Sequence, residues 1–156
     1  MKKILLFAAI AFSLSATSQE ATEEKPGTDF YMATGLSVGN SGGSTFGATS
    51  YPSVEVGLMR GDWALGLVAG RSHNDYSVAD VTENYWMEVK TAAYFPIGDN
   101  LDGYGLLGIG NYMSTETVFI EYGAGFSYSF GKLGTFVQAS NWDGFWYVTP
   151  GLCYSF

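Results

Sequence analysis

From Val118 to Phe130 the chain alternates without a break, with Val118, Ile120, Tyr122, Ala124, Phe126, Tyr128 and Phe130 on one parity. Phe119, Glu121, Gly123, Gly125, Ser127 and Ser129 stand on the other. Successive side chains of a strand point to opposite faces, so this segment reads as a β-strand with one apolar face and one mostly small or polar face. The pattern recurs in Asn84–Phe95, where Tyr85, Met87, Val89, Thr91, Ala93 and Phe95 alternate with Trp86, Glu88, Lys90, Ala92 and Tyr94. It recurs again in Phe145–Phe156 and in Trp63–Ser72. Four further segments, Phe30–Gly39, Tyr51–Arg60, Gly103–Tyr112 and Lys132–Asn141, are bounded by the same kinds of turn residue. No convincing helical period occurs after the N-terminal run. Eight strands of roughly ten residues or more, each long enough to cross a hydrocarbon layer when tilted, predict an all-β meander closed into an eight-stranded antiparallel up-and-down barrel. In Gly103–Tyr112 both Tyr104/Leu106 and Leu107/Ile109 can claim the apolar face, so its orientation stays open, as it does for the first and seventh strands.

Which face is wet separates two kinds of barrel. A soluble calycin-like barrel turns its apolar face inward and coats its exterior with charge. Here the polar parity is dominated by Gly, Ser, Thr and Ala. Only 14% of the chain is charged, against about a quarter in an ordinary soluble domain, while Tyr, Phe and Trp number 11, 11 and 4 and Gly 21. Such a face makes a poor soluble exterior but a good narrow interior, because eight strands leave room only for side chains. The apolar set is therefore expected to face lipid, which makes the barrel transmembrane.

The connections are asymmetric. Gly61-Asp62, Pro96 to Asp102 and Gly131 are short, whereas on the other side Asn40 to Ser50 and His73 to Glu83 are longer and Asn111 to Glu116 and Trp142 to Gly144 are shorter. Short turns on one side and mostly longer loops on the other predict an outer-membrane barrel with both termini in the periplasm. Aromatics at the strand ends are expected to form two interfacial belts: Trp63, Phe95, Tyr128 and Phe130 near the turns, and Trp86, Trp142 and Trp146 near the loops.

The N-terminus begins with Lys2-Lys3, continues through the apolar run Ile4–Phe12 and ends in the small-residue stretch Ser13–Ser18. That run is too short to span a bilayer and reads as a secretory signal peptide over residues 1–18, cleaved to leave Gln19. A polar linker over residues 19–28 then precedes a barrel over residues 29–156. Loss of Lys2 and Lys3 takes seven basic residues to five against 15 acids, a net charge of −10. This excludes nucleic acid, whose phosphates require a basic surface. The single Cys153 excludes an internal disulfide.

The chain ends Leu152-Cys153-Tyr154-Ser155-Phe156. With that ending and the eight alternating segments, it resembles the small outer-membrane β-barrels of the OmpA and OmpX type, in the glycine-rich "outer membrane protein β-barrel domain" form of Gram-negative bacteria. The resemblance covers the chain after the linker. It implies that Leu152, Tyr154 and Phe156 form the signal read by the barrel-assembly machinery, and it is one of architecture, so it carries fold and location further than task.

Four ionisable residues fall on the inward parity: Glu55, Glu88, Lys90 and Glu121, joined by Gln138 if the polar residue of its strand points inward. A charge inside a narrow barrel must be paired or solvated, so these residues are expected to form a salt-bridged plug, with a proton or ion path as the alternative. His73, the only histidine, lies in Arg71-Ser72-His73-Asn74-Asp75. A hydrolase would need Ser, His and an acid to converge, but neighbouring strand residues point to opposite faces, so no catalytic residues are assigned. The loop acids Asp75, Asp80, Glu83, Glu116 and Asp143 match no calcium loop, and neither a metal nor a cofactor is expected. The sequence thus predicts a non-enzymatic, monomeric outer-membrane barrel with a plugged lumen and a structural or surface-interaction role such as adhesion. Its expected partners are outer-membrane lipid, lipopolysaccharide and the assembly machinery. A lipid A-modifying hydrolase and a small pore are the alternatives.

Overall fold

The computed structural model describes residues 27–40, 48–73, 83–113, 116–142 and 144–156. Eight strands succeed one another: β1 Thr28–Asn40, β2 Ala48–Arg60, β3 Trp63–His73, β4 Glu83–Gly98, β5 Leu101–Tyr112, β6 Thr117–Phe130, β7 Leu133–Trp142 and β8 Phe145–Ser155. Each pairs antiparallel with the next, and β1 pairs with β8, so the sheet closes into a barrel in strand order. Closure leaves no free sheet edge, which is what lets a β-structure exist where no water can satisfy its backbone.

The predicted strands are all present, and the differences lie at their ends. Pro96 to Asp102 is not one connection, as its turn residues suggest: β4 runs on to Gly98 and the turn is only Asp99-Asn100. A register shift between Pro96 and Gly98 accommodates the proline, which cannot donate to a ladder and sits where the pairing is already irregular. Strand β7 begins one residue later than expected, because Gly131-Lys132 makes the turn. Gly61 and Gly131 lead their two-residue turns with φ of 57° and 73°, the left-handed values that tight hairpins demand of their first central residue. The loops 41–47 and 74–82, the predicted signal peptide and most of the linker lie outside the described residues.

Register fixes the inside and the outside. In β6 the residues Val118, Ile120, Tyr122, Phe126, Tyr128 and Phe130 are exposed on the barrel's outer surface, while Phe119, Glu121 and Gly125 are buried. The same parity rule holds through β2, β3, β4 and β8. Strand β5, ambiguous in sequence, turns Tyr104, Leu106, Gly108 and Gly110 inward and Leu107 outward. The outer surface is thus apolar on every strand, and the interior is a single column of side chains.

Candidate functional site

That column has three layers. At the end that carries the short turns, Tyr31, Ala33, Ala64, Ala92, Tyr104 and Leu106 form a buried cluster, with Met59, Tyr94, Phe136 and Cys153 packed against it. At the loop end, Tyr51, Val68, Trp86, Phe119, Trp142 and Tyr147 form a second, flanked by Tyr112. Between them lies a polar layer whose ionisable side chains are Glu55, Glu88, Lys90 and Glu121, together with Gln138. All five line one cavity of about 20 Å³, room for roughly one water-sized molecule.

The five predicted lumen residues therefore meet, although they come from four strands. Lys90 of β4 forms an ion pair with Glu55 of β2, reaching across β3 at the residue with no side chain, Gly66. A Cβ on Gly66 would collide with the Glu55 carboxylate and lie 2.7 Å from the Tyr31 hydroxyl, so a larger residue there would separate the ions. Tyr31 donates to Glu55 at 2.5 Å. On the opposite wall Gln138 donates through Nε2 to Glu121 at 3.2 Å, and Tyr104 donates to Gln138 Oε1 at 3.4 Å. The Glu88 carboxylate lies over Gly108, the residue whose register partner on β6 is Glu121, so two carboxylates face each other with only glycine between their strands. Glu88 is 3% exposed. The layer thus joins one direct ion pair to an acid-rich wall in which Glu121 accepts from a neutral donor and the Glu88 carboxylate accepts no hydrogen bond among the described residues.

The aromatic layer at the loop end corrects the placement of Trp86. Expected at the membrane interface, Trp86 is 2% exposed and lies inside the barrel, with Phe119 at 6.0 Å and Trp142 at 4.9 Å between ring centroids. Trp142, expected in the same outer belt, is 3% exposed, stacked on Phe119 at 5.6 Å and packed on Tyr147 at 5.0 Å. Parity carries the signal that strand-end position misses. Trp86 stands two residues from Glu88 and Phe119 two from Glu121, so each shares the inward face of a buried carboxylate. Position at a strand end says nothing about which side of the wall a ring occupies.

The remaining aromatics of that set, Trp63, Phe95, Tyr128, Phe130 and Trp146, all project from the outer surface, the first four at the turn end and Trp146 at the loop end. Leu152, Tyr154 and Phe156 project outward along β8, with the Tyr154 and Phe156 rings 5.1 Å apart. The backbone N–H of Phe156 donates to the Phe30 carbonyl at 2.9 Å and so closes the seam between the two terminal strands. His73 ends β3, and its side chain lies outside the described residues, as do Asp75 and Asp143. Among the described residues no group of three His, Cys, Asp or Glu side chains could hold a metal ion. Cys153 is a free thiol, partly buried at the turn end.

No family model matches the chain, and no curated protein sequence does either. Solved structures do match. A de novo designed transmembrane β-barrel superposes with a TM-score of 0.63 at 19% identity, over 86% of this chain and all of the designed one. Neisserial surface protein A superposes at 0.58 and 11% identity, over 86% of this chain and all of that protein. The outer membrane protein Ail of Yersinia pestis, in a phospholipid bilayer nanodisc, superposes at 0.55 and 15% identity, over 83% of this chain and all of Ail. At these identities what is shared is the fold: the chain is a closed eight-stranded antiparallel up-and-down barrel.

Proposed function

We propose that this protein is an integral outer-membrane barrel whose lumen is closed by its own side chains and whose loop end meets the surroundings of the cell. One observation carries the reading. The outer wall is apolar on all eight strands, while the carboxylates and the lysine are buried inside, a distribution that suits lipid outside and supports a lumen filled by side chains. The likeness to Neisserial surface protein A and to Ail, called the attachment invasion locus protein, supports an outer-membrane location and a surface-interaction role such as adhesion. In this reading residues 1–18 direct export, Leu152, Tyr154 and Phe156 engage the assembly machinery, and Trp63, Phe95, Tyr128, Phe130 and Trp146 lie in the headgroup regions. The monomer stands in outer-membrane lipid and lipopolysaccharide with both termini in the periplasm. Glu55, Lys90, Glu88, Glu121 and Gln138 act as the plug, and no catalytic chemistry is assigned. Kinship with the OmpA and OmpX type rests on the architecture and on the C-terminal ending.

The deciding experiment is electrical. The folded protein in planar bilayers is expected to show no unitary conductance, and steady single-channel steps would replace the plugged barrel by a pore. A second expectation concerns the wall. Leu67, exposed halfway along β3, becomes strongly destabilising as Leu67→Arg, by about 2–4 kcal/mol, whereas Phe130→Arg at a strand end costs about 0–1 kcal/mol. Urea unfolding in lipid vesicles measures both, and equal costs at the two depths would remove the bilayer from the outer wall.

A further inference from the structure

The wall is not uniformly laced. The β1–β8 ladder runs from Tyr31↔Ser155 to Gly35↔Gly151, stops, and resumes at Val38↔Val148 and Gly39↔Tyr147. The gap has a covalent cause. Phe156 N–H donates to β1, at the Phe30 carbonyl, while Ser155 N–H donates towards β7, at the Lys132 carbonyl. Donors alternate sides along an antiparallel strand, so the even-numbered residues of β8 address β1. Pro150 belongs to that set and has no N–H, so the Leu36 carbonyl opposite it meets no ladder donor.

The other flank of β1 repeats the device. Leu36 also stands opposite Pro52 of β2. Because Leu36 turns its backbone groups towards β8, its pairing with Pro52 is the kind that exchanges no bonds, and the missing N–H of Pro52 falls on the β3 side. The β2–β3 ladder accordingly ends at Ser53↔Gly70, the rung beside Pro52, although β2 continues to Ala48 and β3 to His73. Pro52, Leu36 and Pro150 therefore form one row across three strands, with a proline at each flank. On the loop side of this row, β1 is held to β8 by two rungs and by the 2.7 Å hydrogen bond between the Ser37 and Thr149 hydroxyls. Directly behind the row lies the lumen cavity, lined there by Gly35, Ser37, Ser53 and Thr149.

We propose that this row is a hinge built into the barrel wall: the loop-end parts of β1 and β2, Leu36–Gly39 with Tyr51–Pro52, part from β3 and β8 as a unit and open the lumen cavity sideways. The inference rests on the closed barrel alone, not on where the protein resides or what its loops meet. Outward movement carries Tyr51 away from Trp142 and Tyr147, at 6.0 and 5.4 Å between centroids in the closed form, and separates Ser37 from Thr149. The other ladders are continuous at the height of the lumen cavity, the Pro96–Gly98 irregularity lying at the turn end, and are expected to stay shut there.

Residue-resolved hydrogen exchange of the folded full-length protein in detergent micelles tests this. Amides of Leu36, Val38 and Val148, whose N–H groups face the β1–β8 seam, are expected to exchange roughly tenfold faster than amides at the same height on the β3–β4 and β5–β6 hairpins, since Pro150 removes the ladder bond beside them. Pro150→Val restores the donor and is expected to slow exchange at Leu36, Val38 and Val148 at least about fivefold without changing the β5–β6 hairpin. Uniform exchange at the loop end of all hairpins overturns the hinge, and so does an unchanged rate in Pro150→Val. Should that variant not fold, Ser37→Cys with Thr149→Cys in a Cys153→Ala background offers a lock. Oxidation is expected to slow exchange at Leu36, Val38 and Val148, and no slowing at these seam amides counts against the proposal.

Discussion

Lys90→Met is expected to lower the unfolding free energy by about 3–5 kcal/mol, the range for removing one partner of a buried ion pair. Among the described residues Lys90 is the only cation in a layer with three carboxylates, and its ammonium is bound directly to Glu55. Methionine keeps the length and volume of the stem, so packing is nearly conserved and the loss is electrostatic. Glu55 would retain the Tyr31 hydroxyl as a donor, but one neutral hydrogen bond does not compensate for a buried charge. The double variant Glu55→Gln/Lys90→Met is expected to recover most of the loss, because a neutral amide still accepts from Tyr31 and Glu55 and Lys90 are neutralised together, so neither is left charged without the other. Urea titrations in lipid vesicles, followed by tryptophan fluorescence, measure both. If the single and double variants are equally destabilised, packing rather than charge holds the layer together.

How much of this layer is legible in the sequence depends on what two-residue periodicity encodes. It encodes a side of the wall. Glu55, Glu88, Lys90 and Glu121 each share parity with small or polar neighbours, and the same rule that turns Val118 and Ile120 to lipid turns these residues inward. It does not encode height, which comes from strand register, and register depends on pairings between residues far apart in the chain. That Lys90 meets Glu55, and that Gln138 meets Glu121, is set by Gly66↔Lys90 and Gly125↔Gln138, which no local window contains. Trp86 is misplaced as soon as height is allowed to overrule parity: its position near a loop suggests a headgroup belt, while its alternation with Tyr85 and Met87 puts it inside. The prolines illustrate the reverse case. Pro52 and Pro150 are plain in the sequence, but their significance depends on both standing opposite Leu36, a coincidence of two registers.

Glycine is the other half of the packing code. Trp86 lies over Gly70, its neighbour across the β3–β4 ladder, so closely that a Cβ at Gly70 would penetrate the indole ring and sit 2.7 Å from its Nε1. Phe119 lies in the same way over Gly110, and Tyr104 over Gly125. In a lumen too narrow for two side chains at one level, a large ring is admitted only where the adjacent strand offers none. Gly70→Ala is therefore expected to cost about 1–3 kcal/mol by overpacking, and Trp86→Ala about 3–5 kcal/mol by emptying the centre of the aromatic layer. The informative quantity is their coupling. The three atoms nearest the added methyl all belong to the Trp86 side chain and none to backbone, so a Trp86→Ala background removes the closest collisions. There Gly70→Ala should cost much less than in the wild type. Equilibrium unfolding of the two single variants and the double, closed as a thermodynamic cycle, is expected to give a coupling equal to a large part of the cost of the glycine substitution. Additive costs would show that Gly70 is required by its own backbone and not as the seat of Trp86, and the aromatic layer would then have to be held by its ring contacts alone.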